Sequence, residues 1–118
     1  MANGELRLVV LRSSDVERDR GIYEALGVRW VAERHGAGPA HLAATLASAV
    51  VLELYPAGDR QPTDVRLGFA VDDLMEAVEA VQRAGGSVIT WPEPEDDPER
   101  AVVADHDGRR IELTRRST

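Results

Sequence analysis

The side chains with the most chemical potential are two glutamates, an arginine and a histidine. Glu53 lies in AVVLELYP (49–56) and Glu112 in DGRRIELT (107–114), each in an apolar–Glu–Leu step. Alternation along a strand puts Ile111 and Leu113 on one face and Glu112 on the other. Glu53 alternates in the same way with Leu52 and Leu54. Two carboxylates facing one dry site can supply a general base or a hydrogen-bond acceptor, provided that a cation or a metal compensates their charge. Arg66 is the candidate cation. A guanidinium binds carboxylate or phosphate bidentately, so Arg66 can hold an anionic ligand or pair with either glutamate.

His41 opens HLAATL (41–46) and can act as an acid/base group or a metal ligand. With Glu53 and Glu112 it would make a one-histidine, two-carboxylate set for a divalent ion; otherwise it is a strand-end histidine, at the surface or hydrogen-bonded nearby. Tyr55 alternates with Glu53, and its hydroxyl can orient a ligand. Trp91, just before Pro92, can stack on a planar ligand or pack in the core or an interface. His35 and His106 sit in glycine-containing turns and are expected to be solvated. GAGP (36–39) lacks the lysine and the strand–loop–helix context of a phosphate loop, so it reads as a turn.

Composition narrows the chemistry further. There is no cysteine, which excludes disulfides, thiol nucleophiles and cysteine-held metals. All 14 basic residues are arginine, so lysine Schiff-base chemistry is excluded too. A net charge of −7 argues against nucleic acid as a partner, because that affinity comes from clustered cations. No stretch has the apolar length of a membrane span, and the start is unlike a secretory signal. The expectation is a cytoplasmic protein with no membrane partner.

The elements that must position these residues come in two sets. ELRLVVLRS (5–13) reads as a strand, Asp15 as an N-cap, 16–26 as a helix and Gly27 as its C-cap. Strands follow at 28–34, 41–46 and 49–55, the last two closed into a hairpin by Ala47 and Ser48. PAGDRQPTD (56–64) is a linker. The order then restarts: a strand at 65–71, an Asp72-Asp73 cap, a helix with the stripe Leu74, Val78 and Val81, and an Ala84-Gly85-Gly86 stop. A strand at 87–91, the acidic loop PEPEDDPER (92–100) and a hairpin of 101–105 with 109–114 complete the set. Gly27 follows Asp15 at the spacing at which Gly85 follows Asp73. The same register, slipped by one residue, aligns Glu53 with Glu112.

The reading is therefore one α+β domain over 1–118, made of two βαβββ modules at 5–55 and 65–114. A four-stranded sheet with one helix covers only one of its faces. Pairing two modules makes a curved mixed sheet around a cleft, with the helices on the outer face. Both glutamates then point toward the cleft.

Over nearly its whole length the chain resembles the vicinal oxygen chelate superfamily, the glyoxalase/bleomycin-resistance/dioxygenase proteins. The segments that carry the likeness are LRLVVLRSSDVERDRGIYEALGV (6–28), LELYP (52–56), VRLGFAVDDLMEAVEAVQRAGGSV (65–88) and AVVADHDGRRIELT (101–114). The resemblance implies paired modules around a U-shaped cleft, a homodimer and, in metal-using members, a divalent ion. It places that ion on the first and last strand of each module, here Leu8, Glu53, Arg66 and Glu112. Leu8 has no donor atom and Arg66 is a cation, so no metal is expected there.

The leading expectation is a protein that binds a small organic molecule, anionic if Arg66 takes part, with Arg66, Glu53, Glu112, Tyr55 and Trp91 around it. The alternative is a lyase, isomerase or dioxygenase using a divalent metal on His41, Glu53 and Glu112. A second alternative is a diverged scaffold with a filled cleft. Enzyme and binding protein both stay open at this point.

Overall fold

The computed structural model describes residues 1–96 and 98–116; Asp97 of the acidic loop lies outside them. Module one contains β1 (Leu8–Ser13), α1 (Val16–Glu24), β2 (Val31–Glu33), β3 (His41–Thr45) and β4 (Val51–Pro56). Module two contains β5 (Leu67–Val71), α2 (Leu74–Arg83), β6 (Ser87–Thr90), β7 (Arg100–Ala104) and β8 (Arg110–Arg115). The βαβββ repeat is thus present twice. Each module forms its own four-stranded mixed sheet, ordered β1-β4-β3-β2 and β5-β8-β7-β6. The first strand runs parallel to the last, and the other neighbours are antiparallel.

Capping explains where the helices lie. Asp15 and Asp73 have extended backbones, and each carboxylate accepts a bond from the amide three residues on, Arg18 at 3.2 Å and Glu76 at 3.0 Å. Gly27 and Gly85 then take positive φ, 90° and 102°, which an L side chain would resist. The strands are shorter than alternation suggests. Val28 is buried in the core, and the Trp30 indole N–H donates to the Arg20 carbonyl at 3.2 Å. Residues 28–30 are thereby tied to α1, and β2 starts only at Val31.

The helix-facing residues of both sheets share one core. Leu11, Leu52 and Leu54 meet Ile22 and Tyr23 in module one; Val103, Ile111 and Leu113 meet Val78 and Val81 in module two. A buried polar knot joins the modules. The Arg109 guanidinium donates to the carbonyls of Thr63 (2.9 Å) and Arg12 (2.8 Å) and pairs with the Asp105 carboxylate. Asp105 also accepts from the Tyr23 hydroxyl at 2.7 Å. Asp19 accepts from the Ser13 hydroxyl (2.6 Å) and the His106 amide (2.8 Å), and Asp107 accepts from the amide and hydroxyl of Ser14.

This knot contains three carboxylates and one guanidinium. Burial, with Asp105 nearby, pushes Asp19 up to about 6, although the Ser13 and His106 bonds oppose the rise. Burial and Asp105 likewise raise the Tyr23 hydroxyl. Burial also works against ionising Asp107, but its Ser14 bonds and Arg109 win, and its carboxyl sits below the usual range. Burial disfavours the charge on Arg109, yet Tyr23, Asp105 and Asp19 together keep its pKa above the ordinary value.

Candidate functional site

The sheet register decides which side chains share a face. In β4, Leu52 and Leu54 are buried against the helices, so Glu53 and Tyr55 face the other way. Ala43 on β3 lies opposite Glu53, and Glu33 on β2 lies opposite His41. Four donor side chains thereby converge. His41 Nε2 lies 3.3 Å from Glu33 Oε1 and 3.5 Å from Glu53 Oε2, and His35 Nε2 lies 3.4 Å from Glu33 Oε1. One ligand atom from each of Glu33, His35, His41 and Glu53 falls within 4.8 Å of all the others.

His41 is held firmly. Its side chain is 1% exposed, and Tyr55 stacks on it with ring centroids 4.0 Å apart and planes 8° from parallel. The Arg12 guanidinium carbon lies 5.6 Å from the Tyr55 ring centroid. His41 Nδ1 is 3.3 Å from the Pro39 carbonyl, which can only accept, so Nδ1 carries the hydrogen there. His41 Nε2 is buried and makes no hydrogen bond among the described residues.

The other predicted site residues lie elsewhere. Glu112 is on the module-two sheet, next to Gly68 and Val102, and accepts from Arg100 at 2.9 Å. His41 and Glu53 are therefore together, while Glu112 is outside the donor group around them. Arg66 precedes β5, is exposed and makes no ion pair among the described residues. Trp91 lies beyond β6 and is 44% exposed.

Glu33 is not among the expected site residues; His35 is exposed as expected, its side chain 70% accessible, yet its Nε2 still reaches Glu33. Glu33 and His35 are two apart at a strand end, a spacing that puts both on one face. That is the available signal, but only the β2–β3 register brings His41 back to them.

A separate hollow of ≈620 Å³ opens between the modules, beside the C-terminal end of α1 and the β3–β4 turn. Its apolar lining includes Val9, Leu46, Leu52, Leu67 and Phe69, with Arg29 and Arg116 among the polar groups. An adjoining hollow of ≈290 Å³ shares Leu26, Ala70 and Arg116. None of Arg66, Glu53, Glu112, Tyr55 and Trp91 lines either one.

Residues 8–114 match the glyoxalase-like domain family. The chain belongs to that family, within the vicinal oxygen chelate superfamily. An uncharacterized protein of Mycolicibacterium smegmatis is 32% identical over 109 residues, spanning 92% of this chain and 90% of the relative. A glyoxalase-related enzyme from Fulvimarina pelagi superposes with a TM-score of 0.76 at 20% identity, covering 95% of this chain and 88% of that one. TnmS3, an antibiotic binding protein from Streptomyces sp. CB03234, gives 0.71 at 24% identity, with 99% of each chain covered.

The usual metal of the superfamily can be tested against the donors present. Val10 lies opposite Glu53 and Gly68 opposite Glu112 in the register, so these, rather than Leu8 and Arg66, are the direct first-strand neighbours. Neither pair of positions carries a ligating nitrogen or a carboxylate. Two glutamates with no further donor at these positions, one of them already paired with Arg100, do not fit that ion. Among the described residues, no helix is long and apolar enough to cross a membrane.

Proposed function

We propose that this glyoxalase-like protein binds a small organic molecule, largely apolar with an anionic group, in the hollow between its modules. The observation that carries this reading is the hollow itself, ≈620 Å³ and lined by apolar side chains with two arginines. That volume lies within the range of about 300–1,000 Å³ that suits small ligands, and a few convergent polar groups in an apolar lining fix ligand orientation. Arg29 makes no ion pair among the described residues and is free to meet a carboxylate or phosphate. The antibiotic binding protein from Streptomyces, which shares the fold, is consistent with a binding role.

The test is a thermal-shift and ligand-observed NMR screen of aliphatic and aromatic carboxylates and phosphates, on protein kept in chelator. A ligand binding the native state raises Tm by mass action. The expected result is a ligand whose binding is lost in Ala70→Trp, which fills the hollow, and weakened in Arg29→Ala. A screen without a hit, or binding untouched by both substitutions, would sink the reading.

A homodimer accompanies this proposal. β1 and β2 are the edge strands of the module-one sheet, and Leu8 and Val31 on them are 51% and 64% exposed. The β1 edge is covered at Arg12 by Thr63 and Arg109, so the exposed apolar Leu8 and Val31 are what favour a second copy as the partner. Sedimentation equilibrium giving a monomer at micromolar concentration would refute it.

A further inference from the structure

The geometry points to a binding site for a divalent transition-metal ion of zinc type, formed by Glu33, His35, His41 and Glu53. The site lies on the open face of the module-one sheet and shares no residue with the hollow described above. It also differs from the positions that the superfamily resemblance assigns to a metal, with only Glu53 in common. It therefore stands or falls independently of the organic ligand.

The donors lie close enough together to share an ion. Zinc is bound by histidine nitrogen and carboxylate oxygen at about 2.0–2.1 Å in tetrahedral geometry, so neighbouring donor atoms lie about 3.3–3.4 Å apart. Three of the six donor–donor distances, His41–Glu33, His35–Glu33 and His41–Glu53, are 3.3, 3.4 and 3.5 Å, and all six lie within 4.8 Å, close enough for the side chains to close on one ion. Four protein donors, two nitrogens and two oxygens, suit zinc, cobalt or nickel better than magnesium or calcium, which prefer oxygen alone.

His41 adds an observation beyond donor spacing. His41 Nε2 is buried, unbonded and flanked by the two glutamate oxygens. With Nδ1–H directed at the Pro39 carbonyl, the Nε2 lone pair faces the other donors. A carbonyl partner on the far nitrogen is the arrangement that orients metal-binding histidines. A buried polar atom left without a partner costs stability, and an ion supplies the missing one.

Neighbouring residues keep the site open and rigid. Ala43, opposite Glu53, projects no side chain beyond Cβ into the space between the outer strands. The Tyr55 stack fixes the imidazole plane. No arginine pairs with Glu33 or Glu53 among the described residues, so their charge is available to a cation.

The test uses untagged full-length protein stripped with chelator and titrated with Zn²⁺ and Co²⁺ by calorimetry and visible absorption. One ion per chain with micromolar or tighter affinity is expected, with the strong visible bands of tetrahedral Co²⁺ and no competition from excess Mg²⁺. Losing an outer partner of a metal ligand already costs about 10–100-fold, so losing a ligand in His41→Ala or Glu53→Gln should cost at least about 100-fold. If His41→Ala misfolds, Glu33→Gln at the half-exposed edge gives the same reading without touching the core. Glu112→Gln and His106→Ala should bind as the parent does. No binding, an octahedral Co²⁺ spectrum, or full affinity in both His41→Ala and Glu33→Gln would overturn the proposal.

Discussion

Replacing Asp19 with asparagine should flatten one part of the pH dependence of stability. Asp19 is fully buried, and its pKa is raised from 3.8 to about 6. A carboxyl whose folded pKa lies above its unfolded one favours folding only while it is protonated. That contribution is complete below pH 3.8 and is lost as pH rises through about 6. At about 1.4 kcal/mol per pKa unit, the full swing is about 3 kcal/mol. The neutral amide of the Asp19→Asn variant carries no such penalty. It can still accept from the His106 amide, while the Ser13 hydroxyl, now facing an amide, and the Arg109 guanidinium at 3.6 Å lose a charged neighbour. The variant should therefore be less stable than the parent at pH 4 and equal or better at pH 7.5. Guanidinium unfolding of both proteins between pH 4 and 8 gives the difference directly. Asp107, whose pKa is lowered, contributes in the opposite sense: its stability is present above the unfolded pKa and lost at lower pH. Because Asp107 is present in both proteins, its contribution largely cancels. A stability difference that stays constant within about 0.5 kcal/mol across that range would refute the charge assignment.

Arg109→Met should cost about 3–5 kcal/mol by chemical denaturation, because it leaves the buried Asp105 carboxylate without its cation. Gly86→Ala should cost about 1–3 kcal/mol, since a Cβ there would meet Val81 Cγ1 at 2.6 Å and the Ala104 carbonyl at 2.9 Å; a thermal melt checks it. Arg100→Ala should change stability by less than about 1 kcal/mol, because its pair with Glu112 is exposed to solvent and screened; adding salt should leave even that difference smaller.

Much of the fold can be read from local signals. Each Asp cap and Gly stop is a property of a few adjacent residues, so Asp15, Gly27, Asp73 and Gly85 mark both helices. Alternation places Glu53 opposite buried Leu52 and Leu54, and Glu112 opposite buried Ile111 and Leu113. The parts that cannot be read depend on contacts between segments distant in sequence. Arg109 looks like half of a surface Arg-Arg pair, yet the hairpin turn carries it into the seam beside Arg12 and Thr63. The β2–β3 register sets whether Glu33 meets His41. Val28 and Trp30 are drawn toward α1, so alternation over 28–34 starts the strand three residues too early. Charge alone makes Arg66 a natural partner for the glutamates, but Glu112 pairs instead with Arg100, across the hairpin from it.

The duplicated scaffold sharpens the case for two separate sites. Each module turns one glutamate of its last strand outward, and only the neighbouring strands decide what that glutamate meets. In module two, β7 supplies Arg100, and the Glu112 charge is balanced within the chain. In module one, β3 supplies Ala43 and His41, while β2 and the turn after it supply Glu33 and His35. Glu53 thus gains a second carboxylate and two imidazoles but no guanidinium. Two converging carboxylates need positive charge, and the bare Nε2 of His41 needs a partner; one divalent ion meets both needs. The hollow between the modules has no carboxylate in its lining among the described residues; of its two arginines, Arg116 pairs with Asp72 at 2.8 Å and Arg29 makes no ion pair there. On the two proposals made above, the module-one cluster takes a cation and the hollow an organic anion.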